Sequence, residues 1–251
     1  MACVYHQPFV IRIFYQFFKY LCPCPILTPS SVEEIIKTVI IKDSVTGNRQ
    51  SGVIWHTQGS GKSLTMVMLA KFLLENICDN KVVIVTDRTE LDRQIAQTFS
   101  HTRLKPARAT SGKNLISLID EGRSDIVTAI INKFNTVENS KIKIESRDVF
   151  VLVDESHRTN YGNLAAKMRL VFPNGCYVGF TGTPLMKNEK TAARFGGRYI
   201  HKYTIKDGVD DKAIVPLIYE GRLVEQNVDE ANIDLWFEQI TRRISEKQVE
   251  D

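Results

Sequence analysis

Chemistry is most concentrated in this sequence at Thr57-Gln58-Gly59-Ser60-Gly61-Lys62-Ser63. Two glycines in three positions let successive backbone N–H groups turn inward around an anion, with no Cβ in the way. A lysine and a hydroxyl follow at once, supplying a mobile cation and a ligand for a hard metal ion. The apolar run Val53-Ile54-Trp55 precedes the loop and a long helical pattern follows it, so the stretch reads as strand, phosphate loop and helix. The positive end of that helix points at the same anion. In this reading residues Thr57 to Ser63 bind the phosphates of a nucleoside triphosphate, Lys62 reaches the β and γ phosphates, and Ser63 ligates Mg²⁺. One position departs from the general pattern, which begins with glycine where this chain has His56.

A second group stands at the end of another apolar run, where Val149 to Val153 deliver Asp154-Glu155-Ser156-His157. Ligands of open α/β sheets gather at the carboxyl ends of strands, so these carboxylates are expected beside the phosphate loop. Asp154 is then a Mg²⁺ ligand through its water shell, and Glu155 orients or deprotonates the water that attacks the γ-phosphate. Standing alone, the same residues are an acidic cap after a strand. Thr181-Gly182-Thr183-Pro184 ends a third run and, taken alone, is a turn with two hydroxyls.

Strands alternating with helices must position these groups. Short β-branched runs at 81–86, 125–131, 149–154 and 176–181 carry the mark of strands buried on both faces. Between them lie helical patterns such as TELDRQIAQTF and NLISLIDEG. The fold class expected is α/β, a mostly parallel sheet with helices on both faces. Ser31 is expected to cap a helix with Glu33 and Glu34 in its first turn, ending before Thr46-Gly47-Asn48. Residues 1–30, rich in aromatics and then in proline, read as an irregular or truncated segment, and 31–220 as one nucleotide-binding domain. From 221 to 251 the chain is acidic and polar, with one amphipathic helix from about Ile233 to Ile244, and reads as the start of a connection to a further domain.

With 43% hydrophobic and 25% charged residues in 251, the chain has ordinary globular chemistry. Lys and Arg number 33 against 29 Asp and Glu, a net +4, so a nucleic-acid footprint must be local rather than global. Five cysteines, at 3, 22, 24, 78 and 176, are odd in number and unevenly spaced, which suits a reducing compartment better than a disulfide framework. Cys22 and Cys24 read as loop cysteines, since no second pair follows at metal-ligand spacing. No stretch reaches the ~18–20 apolar residues that span a bilayer, so no membrane is implied and a cytoplasmic location is expected.

The tetrapeptide DESH at Asp154–His157 resembles motif II of superfamily 2 helicases and translocases, the DEAD/DEAH class, and TGTP resembles their motif III. Together GVIWHTQGSGKSLTM, VVIVTDRTELDRQI, VLVDESHRTNYGNLAAKMR and GFTGTPL resemble, from about 50 to 220, the motor region of the R subunit of type I restriction enzymes. That resemblance implies the first of two RecA-like P-loop NTPase lobes, an ATP-dependent motor on double-stranded DNA with Mg²⁺ as cofactor. It implies modification and specificity subunits as partners, the latter reading the target. By position, Thr57 to Ser63 bind the phosphates, and Lys62, Asp154 and Glu155 are catalytic. His157, Thr181, Gly182 and Thr183 couple the nucleotide to the track, while Arg88 and Lys133 lie near the DNA backbone. An upstream glutamine that reads adenine is also implied, with Gln16 as its candidate. The family's acidic nuclease arrangement is not found before the phosphate loop, and a second lobe with its arginine finger is not found after residue 220. The expectation is therefore ATP binding with near-background hydrolysis and no DNA cleavage by these residues alone. Another superfamily 2 helicase or remodeller lobe, and a degenerate nucleotide-binding remnant, remain the alternatives at this point.

Overall fold

The computed structural model describes residues 29–87, 89–100, 104–122, 124–136, 143–154, 161–184, 192–193, 195–216, 220 and 230–241. Seven strands form one sheet: β1 (Gly52–His56), β2 (Lys81–Thr86), β3 (Ala107–Arg108), β4 (Ile126–Ile130), β5 (Val149–Val153), β6 (Cys176–Thr181) and β7 (Tyr199–Tyr203), in the order β3-β4-β2-β5-β6-β1-β7. Every ladder between them is parallel. The helices α1 (Pro29–Ile40), α2 (Lys62–Asn76), α3 (Thr89–Ser100), α4 (Gly112–Asp120), α5 (Tyr161–Val171) and α6 (Ile205–Asp210) lie between the strands or flank the sheet in sequence. A 3₁₀ turn at Ile131–Thr136 follows β4.

The continuous apolar runs follow from burial on both faces. Val82 and Ile84 of β2 pack on one side with Met66 and Leu69 of α2 and Ile35 of α1. Val83 and Val85 pack on the other with Leu115 of α4 and Met168 of α5. A period-2 strand between two helical layers has no polar face, so alternation vanishes from its sequence. Each such fully buried Val, Ile or Leu side chain stabilises the fold by roughly 1.5–3 kcal/mol.

Three expectations change. Ser31 is inside α1 rather than capping it, because the helix begins at Pro29, whose fixed φ and missing N–H suit a first turn. The C-terminal helix, α7, spans Glu230–Thr241 rather than starting at Ile233, and residues beyond 241 lie outside the described set. Cys78, on the exposed turn that follows α2, is disulfide-bonded, against the expectation of reduced thiols; an exposed sulfur on a turn is open to pairing. Cys176 is a free, buried thiol that burial pushes up to about 12, so it is an inert hydrophobe. Cys22 and Cys24 lie outside the described residues.

At the amino ends of the strands, a turn at Asp43–Asn48 is closed by an antiparallel bridge between Lys42 and Arg49. Arg49 is buried there and meets Asp148, the residue before β5: Nε donates to Oδ1 at 2.9 Å, and Nη2 at 2.5 Å. Its Nη1 donates to the Ile40 carbonyl at 2.8 Å, and its guanidinium lies 5.0 Å from the centre of the Phe150 ring. Lys42 reaches the other carboxylate oxygen at 3.2 Å. This cluster ties the segment that leads into β1 to the start of β5, two strands away.

Between β1 and β7 the register slips: Val53 faces Tyr199, but Ile54 faces His201, so Ile200 is an extra residue, a β-bulge. Gly52 makes room for it, since a Cβ at that position would lie 2.6 Å from Ile200 Cγ1. Gly52→Ala is therefore expected to cost about 1–3 kcal/mol, as overpacking does in a filled core. Urea unfolding checks this, and an unchanged midpoint would contradict the packing described.

Two compact units divide the chain, Met1–Val215 and Pro216–Asp251. The second contains α7, whose residues 232–239 are all exposed, including Trp236 and Phe237. Among the described residues no helix is long and apolar enough to cross a membrane.

Candidate nucleotide site at the carboxyl ends of β1, β5 and β6

β1 runs straight into the loop. Thr57, buried, donates its backbone N–H to the Tyr203 carbonyl of β7 at 2.9 Å. Its own carbonyl is the loop's inner anchor, accepting from Ser60 Oγ at 2.5 Å and from Lys62 Nζ at 3.2 Å. Gly59 and Gly61 stand at φ 81° and φ 77°, in the left-handed region that a side chain disfavours. Nothing lies within 4 Å of where a Cβ of Gly59 would be, so backbone conformation rather than crowding selects glycine there. Gln58 and Gly59 are exposed, Ser60 is fully buried, and Lys62 and Ser63 are half-buried.

Gly61 is the N-cap of α2 and no side chain caps that helix end. Its leading N–H groups are thus left by neighbouring side chains for an anion, and the helix dipole favours one there. A capping serine or aspartate would compete with a phosphate for the same donors. Two left-handed glycines, an uncapped helix and a lysine folded over the loop are what a phosphate chain requires, so the residues present fit the nucleotide. The lysine head now rests on the Thr57 carbonyl, a neutral acceptor that the more strongly accepting phosphate oxygens can replace.

The TGTP turn lies directly against this loop. A Cβ on Gly182 would come within 3.3 Å of both the Gln58 nitrogen and Lys62 Nζ, and within 3.4 Å of the His56 carbonyl. Glycine at 182 is what lets the two loops touch. Thr181, fully buried at the end of β6, accepts from the Thr183 N–H at 3.2 Å, and Thr183 is exposed. Asp154, buried, follows β5 and donates its N–H to the Val85 carbonyl of β2 at 2.9 Å.

Since β6 separates β1 from β5, Asp154 and the phosphate loop stand two strand spacings apart, about 10 Å. Ser63 and Asp154, the metal ligands expected from the sequence, are both described, and no group of three or more His, Cys, Asp or Glu side chains that could hold a metal is assembled among the described residues. A metal that keeps several waters and borrows phosphate oxygens needs no such group.

His56, in the place of the missing first glycine, is 1% exposed. Its Nε2 lies 2.8 Å from His201 Nδ1, and its ring meets His201 and Tyr203 edge-on, with centroids at 5.0 Å and 6.0 Å. Burial, then His201, then the Lys62 charge push its pKa down to about 3, so it is neutral at physiological pH. Burial also lowers His201, against the opposing pull of Glu34 and Asp207.

Lys133 is half-buried on the turn after β4, on the same carboxyl edge of the sheet as the loop. Gln16, Arg88, Glu155 and His157 lie outside the described residues. Sequence reasoning passed over His201 and Tyr203; they stand on the short strand YIHKY, whose bulge breaks the alternation that would have marked it.

Residues 30–250 match the family model described as SWI2/SNF2 ATPase. The chain is 33% identical over 241 residues to a putative type I restriction enzyme endonuclease subunit, MjaIXP, of Methanocaldococcus jannaschii, covering 94% of this chain and 22% of that one. It is 34% identical over 211 residues to the type I restriction enzyme HindI endonuclease subunit of Haemophilus influenzae, covering 75% and 20%. Among solved structures, a nuclease-deletion mutant of the type ISP restriction-modification enzyme LlaGI, in complex with a DNA substrate mimic, has a similar fold. Its TM-score is 0.54 at 13% identity, over 86% of this chain and 22% of that one. The chain thus spans about a fifth of the length of the curated relatives it matches.

Proposed function

We propose, from the premise that this chain belongs to the SWI2/SNF2 ATPase family, that it is the ATP-binding first motor lobe of a type I restriction endonuclease subunit. The observation that carries this is the joint placement of the left-handed glycine loop, the TGTP turn packed on it, and Asp154 two strands away. Backbone N–H groups of the loop and of the first turn of α2 receive phosphate oxygens, and Lys62 moves from the Thr57 carbonyl to the β and γ phosphates. Ser63 and Asp154 would hold Mg²⁺, which would supply positive charge to offset that of the phosphates. Glu155 accepts the proton of the water attacking the γ-phosphorus; the bond to the β–γ bridging oxygen breaks, leaving ADP and inorganic phosphate. His157 with Thr181, Gly182 and Thr183 relays the state of the nucleotide to the track.

Translocation and cleavage of double-stranded DNA are proposed for the assembled enzyme with its modification and specificity subunits, in the cytoplasm, since this chain spans about a fifth of the relatives it matches. Calorimetry with Mg·ATP, ADP and adenosine tests the nucleotide reading. ATP and ADP are expected to bind and adenosine not, because the donors described address phosphates; adenosine binding as tightly as ATP would refute it.

Arg88 and Lys133 are proposed to touch DNA phosphates rather than base edges. Two such contacts predict a slope of about −2 in log affinity against log salt, or roughly a tenfold loss between about 0.05 and 0.2 M. Lys133→Ala is expected to reduce that slope by about one, equally on all sequences. Fluorescence anisotropy with duplexes of different sequence is the measurement, and sequence-selective binding by this chain would contradict the assignment.

A further inference from the structure

The side chain at the end of β1 is costly. His56 is buried with its Nδ1 unpartnered, a desolvation cost that an apolar residue would avoid. Stability alone therefore does not explain a histidine there. Nor does simple alternation explain its neighbour. Without the bulge at Ile200, His201 would stand opposite Trp55 and project from the other face of the sheet. The extra residue turns His201 to the face of His56, and the absent side chain at Gly52 accommodates the displaced Ile200. Two separate sequence features thus bring one imidazole to another.

What the pair touches is the root of the phosphate loop. The residue after His56 is Thr57, held from outside by the Tyr203 carbonyl of β7 and bearing, on its own carbonyl, the Lys62 ammonium. The carbonyl of His56 itself lies against Gly182. Any movement of β7 away from β1 would therefore carry Thr57, and with it the resting place of Lys62.

We propose that His201 is a positioning residue for nucleotide binding: through its hydrogen bond to His56 it clamps β7 to the end of β1 and holds Thr57 and Lys62 in the geometry that receives phosphates. This rests on the reading of Thr57 to Ser63 as an ATP phosphate loop. Both rings are neutral, since burial lowers each, so the bond is an ordinary N–H···N contact with one donor and one acceptor. The charged groups acting on the pair are Lys62 on His56, with Glu34 of α1 and Asp207 of α6 on His201.

The test compares Mg·ATP binding by calorimetry for the full chain, Lys62→Ala, His201→Leu and His201→Asn, at a temperature where circular dichroism shows all four folded. Asn is chosen because its amide stands where Nδ1 does; Leu fills similar space without a polar atom. His201→Leu is expected to weaken ATP about tenfold, the scale of one net hydrogen bond, and His201→Asn to restore most of that loss. Wild-type affinity in His201→Leu, with Lys62→Ala inactive, overturns the positioning role alone. Equal weakening by Leu and Asn also overturns it, because the loss then does not follow the hydrogen bond. Undiminished binding by Lys62→Ala defeats the phosphate-loop reading itself.

Discussion

Lys62→Ala is expected to lower the affinity for Mg·ATP at least about 100-fold while leaving the fold intact. The ammonium now lies 3.2 Å from the Thr57 carbonyl and is half-buried between the loop and Gly182. In a nucleotide complex it is expected to exchange that neutral acceptor for phosphate oxygens. A hydrogen bond to a charged group contributes about 1.5–3 kcal/mol, so two of them account for a factor of roughly 100 or more at 1.4 kcal/mol per decade. Alanine removes these donors but leaves both left-handed glycines and the uncapped end of α2 in place. Thermal stability without nucleotide should therefore change little, as for most half-exposed positions. Lys62→Arg is not expected to rescue binding, because a planar fork needs more room than Gly182 leaves beside Nζ. Equal affinity of wild type and Lys62→Ala for ATP would show that the loop does not hold phosphates.

The second large effect lies at the opposite end of the sheet. Asp148→Ala is expected to destabilise the chain by about 3 kcal/mol, the lower end of the cost of breaking a buried ion pair. The Arg49 side chain is 1% exposed, so it cannot turn to water when its partner is lost. The lower end applies because Asp148 is 28% exposed, and because Arg49 keeps the Ile40 carbonyl and the Phe150 ring. At roughly 2–4 °C per kcal/mol for a chain of this size, the melting temperature should fall by about 6–12 °C. Acid should reproduce part of the loss. Burial of Asp148 works to raise its pKa, but the hydrogen bonds and charges of Arg49 and Lys42 outweigh it and leave the group below the ordinary carboxylate range. A depressed folded-state pKa gives stability present above the unfolded value near ~4 and lost as pH falls through the folded one. Melting curves at neutral pH and in the acid range test both statements; a neutral Asp148→Ala would mean that the cluster holds nothing together.

Much of this was readable in the chain itself, for a local reason. KVVIVT and CYVGFT coincide with β2 and β6 end to end, because strands buried on both faces write an unbroken apolar run that polar residues terminate. The glycine loop and the helix after it were legible from adjacent residues for the same reason. What escaped was set by residues far apart in sequence. Arg49 and Asp148 are each unremarkable charges until the sheet places them together. β3 is two residues long and β7 carries a bulge, so neither shows a clean period. The start of α1 was misplaced because Ser31 and two glutamates imitate a cap, whereas Pro29 begins the helix.

The order of the strands has a consequence for how the protein is made. β2, β4 and β5 come from one continuous stretch in which β4 and β5 flank β2, but both neighbours of β1 arrive late: β6 ends at Thr181 and β7 at Tyr203. From the end of β1 at His56 to the end of β6 at Thr181 the ribosome must add 181 − 56 = 125 residues, which at about 5–20 residues per second takes roughly 6–25 s. For that interval GVIWH is an apolar strand without a ladder, the kind of segment that pairs with the wrong chain. The glycine loop, which opens the domain in sequence, is then among the last parts of it to take shape, so a ligand bound there would come too late to guide the early stages of folding and would act as a lock on a sheet that is already built.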